Sequence, residues 1–366
     1  MSKQKLDYHK SVNYDLADPA KVLAQKEGRA TAGNMPFGYS EVSGTRGESA
    51  YVFDMGDVYG ALVQEGLGTK SLVAQDVYEA TSQSFFAAIA QDTVATVIND
   101  LISVGATSVV LNAYWSASSY DWLADKKLTT DFIKGWRKAC DAAGVTWGGG
   151  ETQSLPGVVE KGALEFAGCG FGVVNPKQRL VQDSRLREGD AIVLLESSGV
   201  HANGISLARQ VSAMLDDGYQ TKLSDGTTYG EALLKPTILY AQVLEEFFKH
   251  NLEIHYLSNI TGHGWRKLMR ANRELTYVIE HVPDTHPVFD VIQQHAQNDL
   301  QDMYGNYNMG AGYAVYLPKQ DAEKALEIAA NLGIKAWIAG RVEDGPRQVV
   351  IKPKGIIFAG ETLEVR

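Results

Sequence analysis

The chain has 366 residues, a length that suits two or three domains, with 45% apolar and 21% charged residues. That composition is ordinary for a globular protein and excludes disordered, collagenous and low-complexity classes. Lys and Arg number 34 against 44 Asp and Glu, a formal net charge of −10. An acidic chain is poorly suited to duplex nucleic acid, whose affinity comes mostly from phosphate neutralisation, or to an anionic membrane surface.

Two cysteines, Cys140 and Cys169, exclude a disulfide scaffold and a thiolate zinc cluster. The N-terminal segment MSKQKLDYHKSVNYDLADPAK has no apolar core of a secretory signal, and no run of about 18 apolar residues follows. A soluble cytoplasmic protein is expected.

Residues 1–50 are polar and rich in turn signals such as Asn34-Met35-Pro36 and Ser43-Gly44-Thr45-Arg46-Gly47. Little regular structure is expected there beyond a short helix around Pro19–Gly28. Tyr51–Met55 reads as a strand because aromatic and β-branched residues alternate. Residues 84–104 form the clearest helix: Val94, Val97, Ile98 and Leu101 recur at helical spacing and Gly105 stands where a terminating glycine belongs. Ser108–Leu111 follows as a buried strand, and Leu128–Ala143 as an amphipathic helix ended by Gly144. Gly148-Gly149-Gly150 reads as a loop, and Phe166–Val174 as a Gly-rich strand.

Asn175-Pro176 is a turn signal before the polar stretch Lys177–Gly189, and the domain boundary is placed there. Ala191–Glu196 is then a strand, Ile205–Met214 a helix, and Thr237–His250 another. Asp321–Leu332 reads as a helix with Asp321 at its N-cap and Gly333 beyond its end, and Ile334–Val342 as a strand. Interleaved strands and helices in both halves give two α/β or α+β domains, with 1–50 as an extension, 51–176 as the first domain and 177–366 as the second.

Six segments could carry chemistry. In Gln64-Glu65-Gly66-Leu67-Gly68-Thr69-Lys70, two glycines allow backbone amides to approach an anion and a Lys follows, although the spacing is not that of a P-loop. On spacing alone a plain glycine turn with a solvated Lys is the favoured reading. On the long helix, Asn99 lies about 20° and Asp100 about 80° from Asp92 around the axis. These residues flank an apolar stripe, so either they face solvent or they are buried with a partner or a metal. Gly148-Gly149-Gly150-Glu151-Thr152 reads as a flexible turn, or, with Glu65 and Asp100, as a source of oxygen ligands for a hard cation such as Mg²⁺.

Ser197-Ser198-Gly199-Val200-His201-Ala202-Asn203-Gly204 lies between a strand and a helix, as an anion or catalytic site or as an N-cap loop with a surface His. Asn259-Ile260-Thr261-Gly262-His263-Gly264-Trp265 and Tyr307-Asn308-Met309-Gly310-Ala311-Gly312 are Gly-rich loops. Trp115, Trp147 and Trp265 read as core or pocket walls. Neither H-E-x-x-H nor C-x-x-C occurs.

Taken together and in order, these segments resemble one family. Gly66-Leu67-Gly68-Thr69-Lys70, Ile98-Asn99-Asp100-Leu101, Gly149-Gly150-Glu151-Thr152 with Leu155-Pro156-Gly157, Ser197-Ser198-Gly199 with His201 and Asn203-Gly204, Leu234-Lys235-Pro236-Thr237, Ile260-Thr261-Gly262 and Met303-Tyr304 with Asn308 are similar to those of the phosphoribosylformylglycinamidine cyclo-ligases. These are the AIR synthases of purine biosynthesis. The resemblance covers about residues 60–345.

The resemblance implies an α/β (α+β) AIR-synthase-like fold in two domains. The N-terminal, ATP- and Mg²⁺-binding domain would pair across a homodimer to form a β-barrel, and the C-terminal domain would be an α/β sandwich. It implies ATP-dependent closure of formylglycinamidine ribonucleotide to 5-aminoimidazole ribonucleotide, with ADP and phosphate released. Phosphorylation of the amide oxygen would be followed by attack of the ring-closing nitrogen. Phosphoryl transfer needs positioning and charge neutralisation more than covalent catalysis. The implied roles are phosphate and nucleotide binding for Gly66, Gly68, Thr69 and Lys70, supported by Asp92 and Asn99. Mg²⁺ would be held by Glu65, Asp100 and Glu151. His201, Asn203 and Lys70 would act in catalysis, and Ser198, Thr261 and Gly262 would line the substrate.

The chain departs from the family pattern at four places. Glu65 stands where an Asp is usual, His263 where a second Gly is usual, and Leu111-Asn112-Ala113 where Leu-Asp-Tyr is common. The usual Gly-Gly-Phe-Gly loop is replaced by Phe37-Gly38-Tyr39-Ser40. A selenophosphate synthetase would want a Cys near the N-terminus and a hydrogenase-maturation homologue a C-terminal Cys, and neither is present. A thiamine-phosphate-kinase-like enzyme and a non-catalytic nucleotide-binding relative remain as alternatives.

Overall fold

The structure, a computed structural model, describes Leu6 and residues 14–363. Helix α1 (Tyr14–Ala30) precedes a six-stranded sheet built from β1 (Ser40–Glu41), β2 (Tyr51–Asp54), β3 (Tyr59–Gly66), β4 (Thr107–Ala117), β5 (Thr146–Ser154) and β6 (Leu164–Val174). The strand order is β1-β2-β3-β6-β4-β5, and only β4 and β5 run parallel. Helices α2 (Lys70–Thr81), α3 (Phe86–Leu101), α4 (Asp121–Ala124) and α5 (Lys126–Ala143) accompany it.

Helix α3 forms because one side of it is apolar throughout: Ile89, Val94, Val97, Ile98 and Leu101 are fully buried. It stops after a 3₁₀ turn at Gly105, whose φ of 79° is open to glycine at no steric cost. It lies close on the sheet because β6 offers glycine there: a Cβ at Gly170 would stand 2.7 Å from Val97 Cγ1. Helix α5 starts where Asp125 accepts from the amides of Lys127 and Leu128, and Gly144 ends it. Phe132 and Trp136 of α5 pack against Trp115 of β4, which also meets Trp147 of β5, with Trp115 centred 5.3 Å from Trp136, so Trp115 and Trp147 belong to a packed wall.

The second half holds a seven-stranded sheet of β7 (Ala191–Glu196), β8 (Tyr256–Asn259), β9 (Leu275–Ile279), β10 (Ala311–Leu317), β11 (Ala336–Asp344), β12 (Gln348–Ile351) and β13 (Ile356–Ala359). Its order is β13-β12-β9-β11-β7-β10-β8, with β9 and β12 parallel and the other neighbours antiparallel. Helices α6 (Ile205–Ser212), α7 (Tyr229–Leu233), α8 (Ala241–Lys249), α9 (Pro287–Ala296), α10 (Leu300–Asn306) and α11 (Lys319–Asn331) surround it. Strands β9 and β10 are buried at every residue, as expected of strands covered on both faces. Among the described residues no helix is long and apolar enough to cross a membrane.

Four local expectations change. The N-terminal helix is longer than Pro19–Gly28: it runs from Tyr14 to Ala30 with Pro19 inside it rather than at its start. The triple glycine is not a loop but part of β5. Gly150, at φ 152°, lies so close to β4 that a Cβ would fall 1.9 Å from the Ala113 carbonyl oxygen. The helix expected from Thr237 begins at Ala241, since the preceding backbone is drawn into contacts with α3. Asp321 is not an N-cap: α11 begins two residues earlier, and the Asp321 carboxylate instead accepts from the Glu253 amide at 3.1 Å.

Candidate active site

Four segments far apart in the chain meet in a cleft between the two sheets. Glu65 comes from the end of β3, Asp100 from the last turn of α3, Ala202 and Asn203 from the turn after β7, and Thr261-Gly262-His263 from the turn after β8. They line a cavity of about 270 Å³ with Gly66, Thr96 and Lys267. A neighbouring cavity of about 290 Å³ shares Glu65, Asp100, His263 and Lys267 and extends toward Ser49 and Arg270.

The charges in this cleft are unbalanced in a specific way. The Asp100 carboxylate accepts from Asn259 Nδ2 at 2.8 Å. Among the described residues Glu65 makes no hydrogen bond, and its carboxyl is pushed up to about 7 by burial and by the negative charge of Asp100, against the pull of Lys267 and Arg270. Burial, followed by the Arg270 charge, pushes the Lys267 ammonium down to about 8 while Asp100 and Glu65 hold it up. Burial and then the charges of Lys267 and Arg266 push His263 down to about 3, so its ring is neutral; its backbone is left-handed at φ 72°.

Two facing carboxylates, one of them without a partner, fit a hard divalent cation, since Mg²⁺ takes one or two carboxylates and completes its shell with waters and substrate phosphates. No group of three or more His, Cys, Asp or Glu side chains comes together as a metal site among the described residues. Glu151 accounts for the difference from the expected trio. It is exposed on β5, three strands away from β3, about 14 Å across the sheet.

A second set of expected site residues lies behind the cleft. Lys70, at the start of α2, and Asp92, in α3, are both 0% exposed and pair at 2.8 Å. Lys70 Nζ also donates to the Lys235 carbonyl, and Asp92 accepts from the amide and hydroxyl of Thr237 at 2.8 and 2.5 Å. Burial drives the Lys70 value down and the Asp92 value up, and the pair's mutual attraction opposes both. One helical turn pair further along, Asn99 donates to the Ile238 carbonyl and accepts from the Tyr240 amide. Ser198 Oγ donates to the Pro236 carbonyl at 2.6 Å. Residues 235–240 are therefore a strap, fastened along its length by Lys70, Asp92, Asn99 and Ser198.

His201 is buried in the same region. Its backbone sits at φ 58°, and Nε2 accepts the Ser198 amide at 3.2 Å. Burial and the nearby Lys70 charge push its ring down to about 3, so it is neutral. It does not line the cleft, whereas its neighbours Ala202 and Asn203 do. The Gly66–Gly68 turn also has an occupant from its own chain: the Glu165 carboxylate accepts from the Gly68 amide. Thr69 Oγ1 lies 3.2 Å from Ser206 Oγ.

Comparison with known proteins agrees with this layout. Residues 47–174 match the family described as AIR synthase related protein, N-terminal domain, and residues 187–352 the corresponding C-terminal domain. A phosphoribosylformylglycinamidine cyclo-ligase of Methanococcus maripaludis is 33% identical over 344 residues, 92% of both chains. The chain belongs to the AIR synthase family.

A namesake from Methanocaldococcus jannaschii is 34% identical over 299 residues, 80% of each chain. In fold, the chain resembles hydrogenase maturation protein HypE in complex with ATP, with a TM-score of 0.59 at 18% identity, covering 82% of this chain and 83% of that one. Its two halves are AIR-synthase-type α/β domains. Motif reading missed Lys267, Arg270 and Ser49 at the cleft, because single charged or hydroxyl residues carry no spacing signal. It also missed the strap's grip on α3. There the signal was available, as two polar residues, Asp92 and Asn99, standing among apolar ones.

Proposed function

We propose that this enzyme closes the imidazole ring of 5-aminoimidazole ribonucleotide from formylglycinamidine ribonucleotide, consuming ATP and releasing ADP and phosphate. The carrying observation is the meeting of Glu65, Asp100, Asn203, Thr261 and Gly262 in one cleft in a member of the cyclo-ligase family. The amide oxygen would attack the γ-phosphorus as ADP leaves. The ring-closing nitrogen would then attack the activated carbon, and the C–O bond would break with its electrons leaving on phosphate.

In this reading Glu65 and Asp100 would hold Mg²⁺, which would supply charge neutralisation for the phosphates. Asn203 and the Thr261-Gly262 turn orient the amide from the opposite wall. His201 acts as a positioning residue, holding the turn that presents Asn203. Lys70, Asp92 and Asn99 serve by fixing the strap, and hence the two domains, at the spacing the cleft requires.

A homodimer is part of the reading. The face of the first sheet away from α3 carries Leu62, 42% exposed, directly paired with Phe171 and Tyr51, and further along Tyr114 paired with Glu151. A second copy would cover the apolar part of this strip and close a barrel. Leu62→Glu should halve the mass measured by light scattering, and an unchanged mass would reject that interface.

Purified protein supplied with ATP, Mg²⁺ and formylglycinamidine ribonucleotide should yield aminoimidazole ribonucleotide and ADP in equal amounts. ADP without the imidazole product would instead support phosphorylation without ring closure. That second reading is motivated by Glu65 and His263, where the cleft wall departs from the family pattern. No turnover at saturating substrates would reject both.

A further inference from the structure

The half of the cleft beyond Glu65 is built differently from the half facing Asn203. Ser49, Lys267 and Arg270 converge on its cavity of about 290 Å³, with Lys21 at its edge. Ser49 is 8% exposed, and its hydroxyl has no hydrogen-bond partner among the described residues. Among the described residues the Lys267 ammonium also lacks a hydrogen bond or ion pair. Arg270 is anchored rather than mobile: its guanidinium donates to the Gly47 carbonyl at 3.1 Å and lies 3.7 Å from Glu48. Glu48 in turn accepts from Tyr256 Oη at 2.8 Å, and the other carboxylates lining this cavity are those of the Glu65–Asp100 pair.

A buried hydroxyl that finds no protein acceptor is costly unless a ligand supplies one, and the half-buried Lys267 ammonium beside it opens onto the same cavity without a protein acceptor among the described residues. Such donors around a fixed guanidinium match the several acceptor oxygens and the charge of a phosphate group. His263 contributes shape. Its left-handed backbone closes the turn in which the Gly264 amide donates to the Thr261 carbonyl, and that turn leads into the 3₁₀ helix Gly264–Met269, which carries Lys267.

We infer that Lys267, Arg270 and Ser49 form a binding site for a phosphate dianion, adjoining the Glu65–Asp100 pair. The inference rests on the reading of this cleft as the place where ATP meets a phosphorylated substrate. Two sources share the chemistry, the phosphate monoester of a ribonucleotide substrate and the terminal phosphate of the nucleotide, and they can be told apart.

The test is calorimetric titration of the full chain with ribose 5-phosphate and, separately, with a non-hydrolysable ATP analogue plus Mg²⁺. Lys267→Met should weaken one probe about tenfold or more while leaving the other within about threefold, and the weakened probe identifies the source. Ser49→Ala removes a hydroxyl and no charge, and should weaken the same probe about fivefold. Lys267→Arg should restore part of the affinity. Should both folded variants bind both probes as the wild type does, or should the wild type bind neither, the site does not exist. Because binding is read without turnover, Lys267-dependent binding in a protein that makes no imidazole product would uphold this site and reject the assigned reaction.

Discussion

Helix α3 carries two polar neighbourhoods with opposite characters. Asp92 and Asn99 face the strap, and every one of their contacts is met within the chain. Asp100, one residue on, turns toward the cleft, where Glu65 and Lys267 find no hydrogen-bonding partner among the described residues. The contrast separates polar groups that hold the molecule together from polar groups kept ready for a ligand. Saturated buried pairs fix geometry, whereas unsaturated ones cost stability and are retained where they act.

Breaking the saturated side should have the largest effect. Lys70→Met alone leaves the Asp92 carboxylate buried without its cation and should cost about 3–5 kcal/mol in urea unfolding. Adding Asp92→Leu to it should recover most of that loss, because the uncompensated charge is then gone. A double variant no more stable than the single would show that the strap depends on the Thr237 contacts rather than on the ion pair.

On the other side the effect should fall on turnover and spare the fold. Asp100→Asn is expected to lower product formation about 100-fold while leaving the melting temperature equal or higher, since it removes the charge that repels Glu65. A large drop in melting temperature would place Asp100 with the structural set. Asn99→Ala, its neighbour, should do the reverse. It loses two buried contacts to the strap, at about 2 kcal/mol of stability, and should alter the reaction only as far as the domains shift.

The last effect is a slope confined to acid. His201 and His263 are held near 3 in the folded protein against an ordinary 6.5. Both are neutral when folded and take up a proton on unfolding, so their stability contribution is complete above pH 6.5 and falls as pH drops from 6.5 toward 3. For the buried His201 the loss is about 1.4 kcal/mol per pH unit within that window. His201→Gln should flatten the fall in urea midpoint between pH 6 and 4, and an unchanged slope would mean that other groups govern it.

Much of this arrangement was legible in the residues. The apolar spacing of Val94, Val97, Ile98 and Leu101 marks α3, Gly105 and Gly144 mark helix ends, and Ala191–Glu196 is found as read. These are local signals, set by periodicity and by the backbone freedom of glycine. The triple glycine misled because a glycine run in a loop and one in a strand pressed against its neighbour read alike, and only the approach of Ala113 distinguishes them. The start of α8 was misplaced because Asp92 and Asn99, about 140 residues earlier, capture the backbone that would have formed its first turn.

The division at the site has the same cause. Glu65 and Asp100 could be named as cation ligands from their residue type, whereas Asn203, Thr261 and Gly262 are named only through the order of motifs that resembles one family. Which carboxylate faces the cleft, and which is locked against a lysine, depends on burial and on partners supplied from distant segments. Lys70 and Lys267 are the same residue type with different fates: one is 0% exposed against Asp92 and the Lys235 carbonyl, and the other opens onto the cavity beside Glu65. Sequence determines what each side chain can do. The packing of two sheets around residues 235–240 decides which of them is left free to do it, because a buried charge must be matched by whatever group the fold brings within reach.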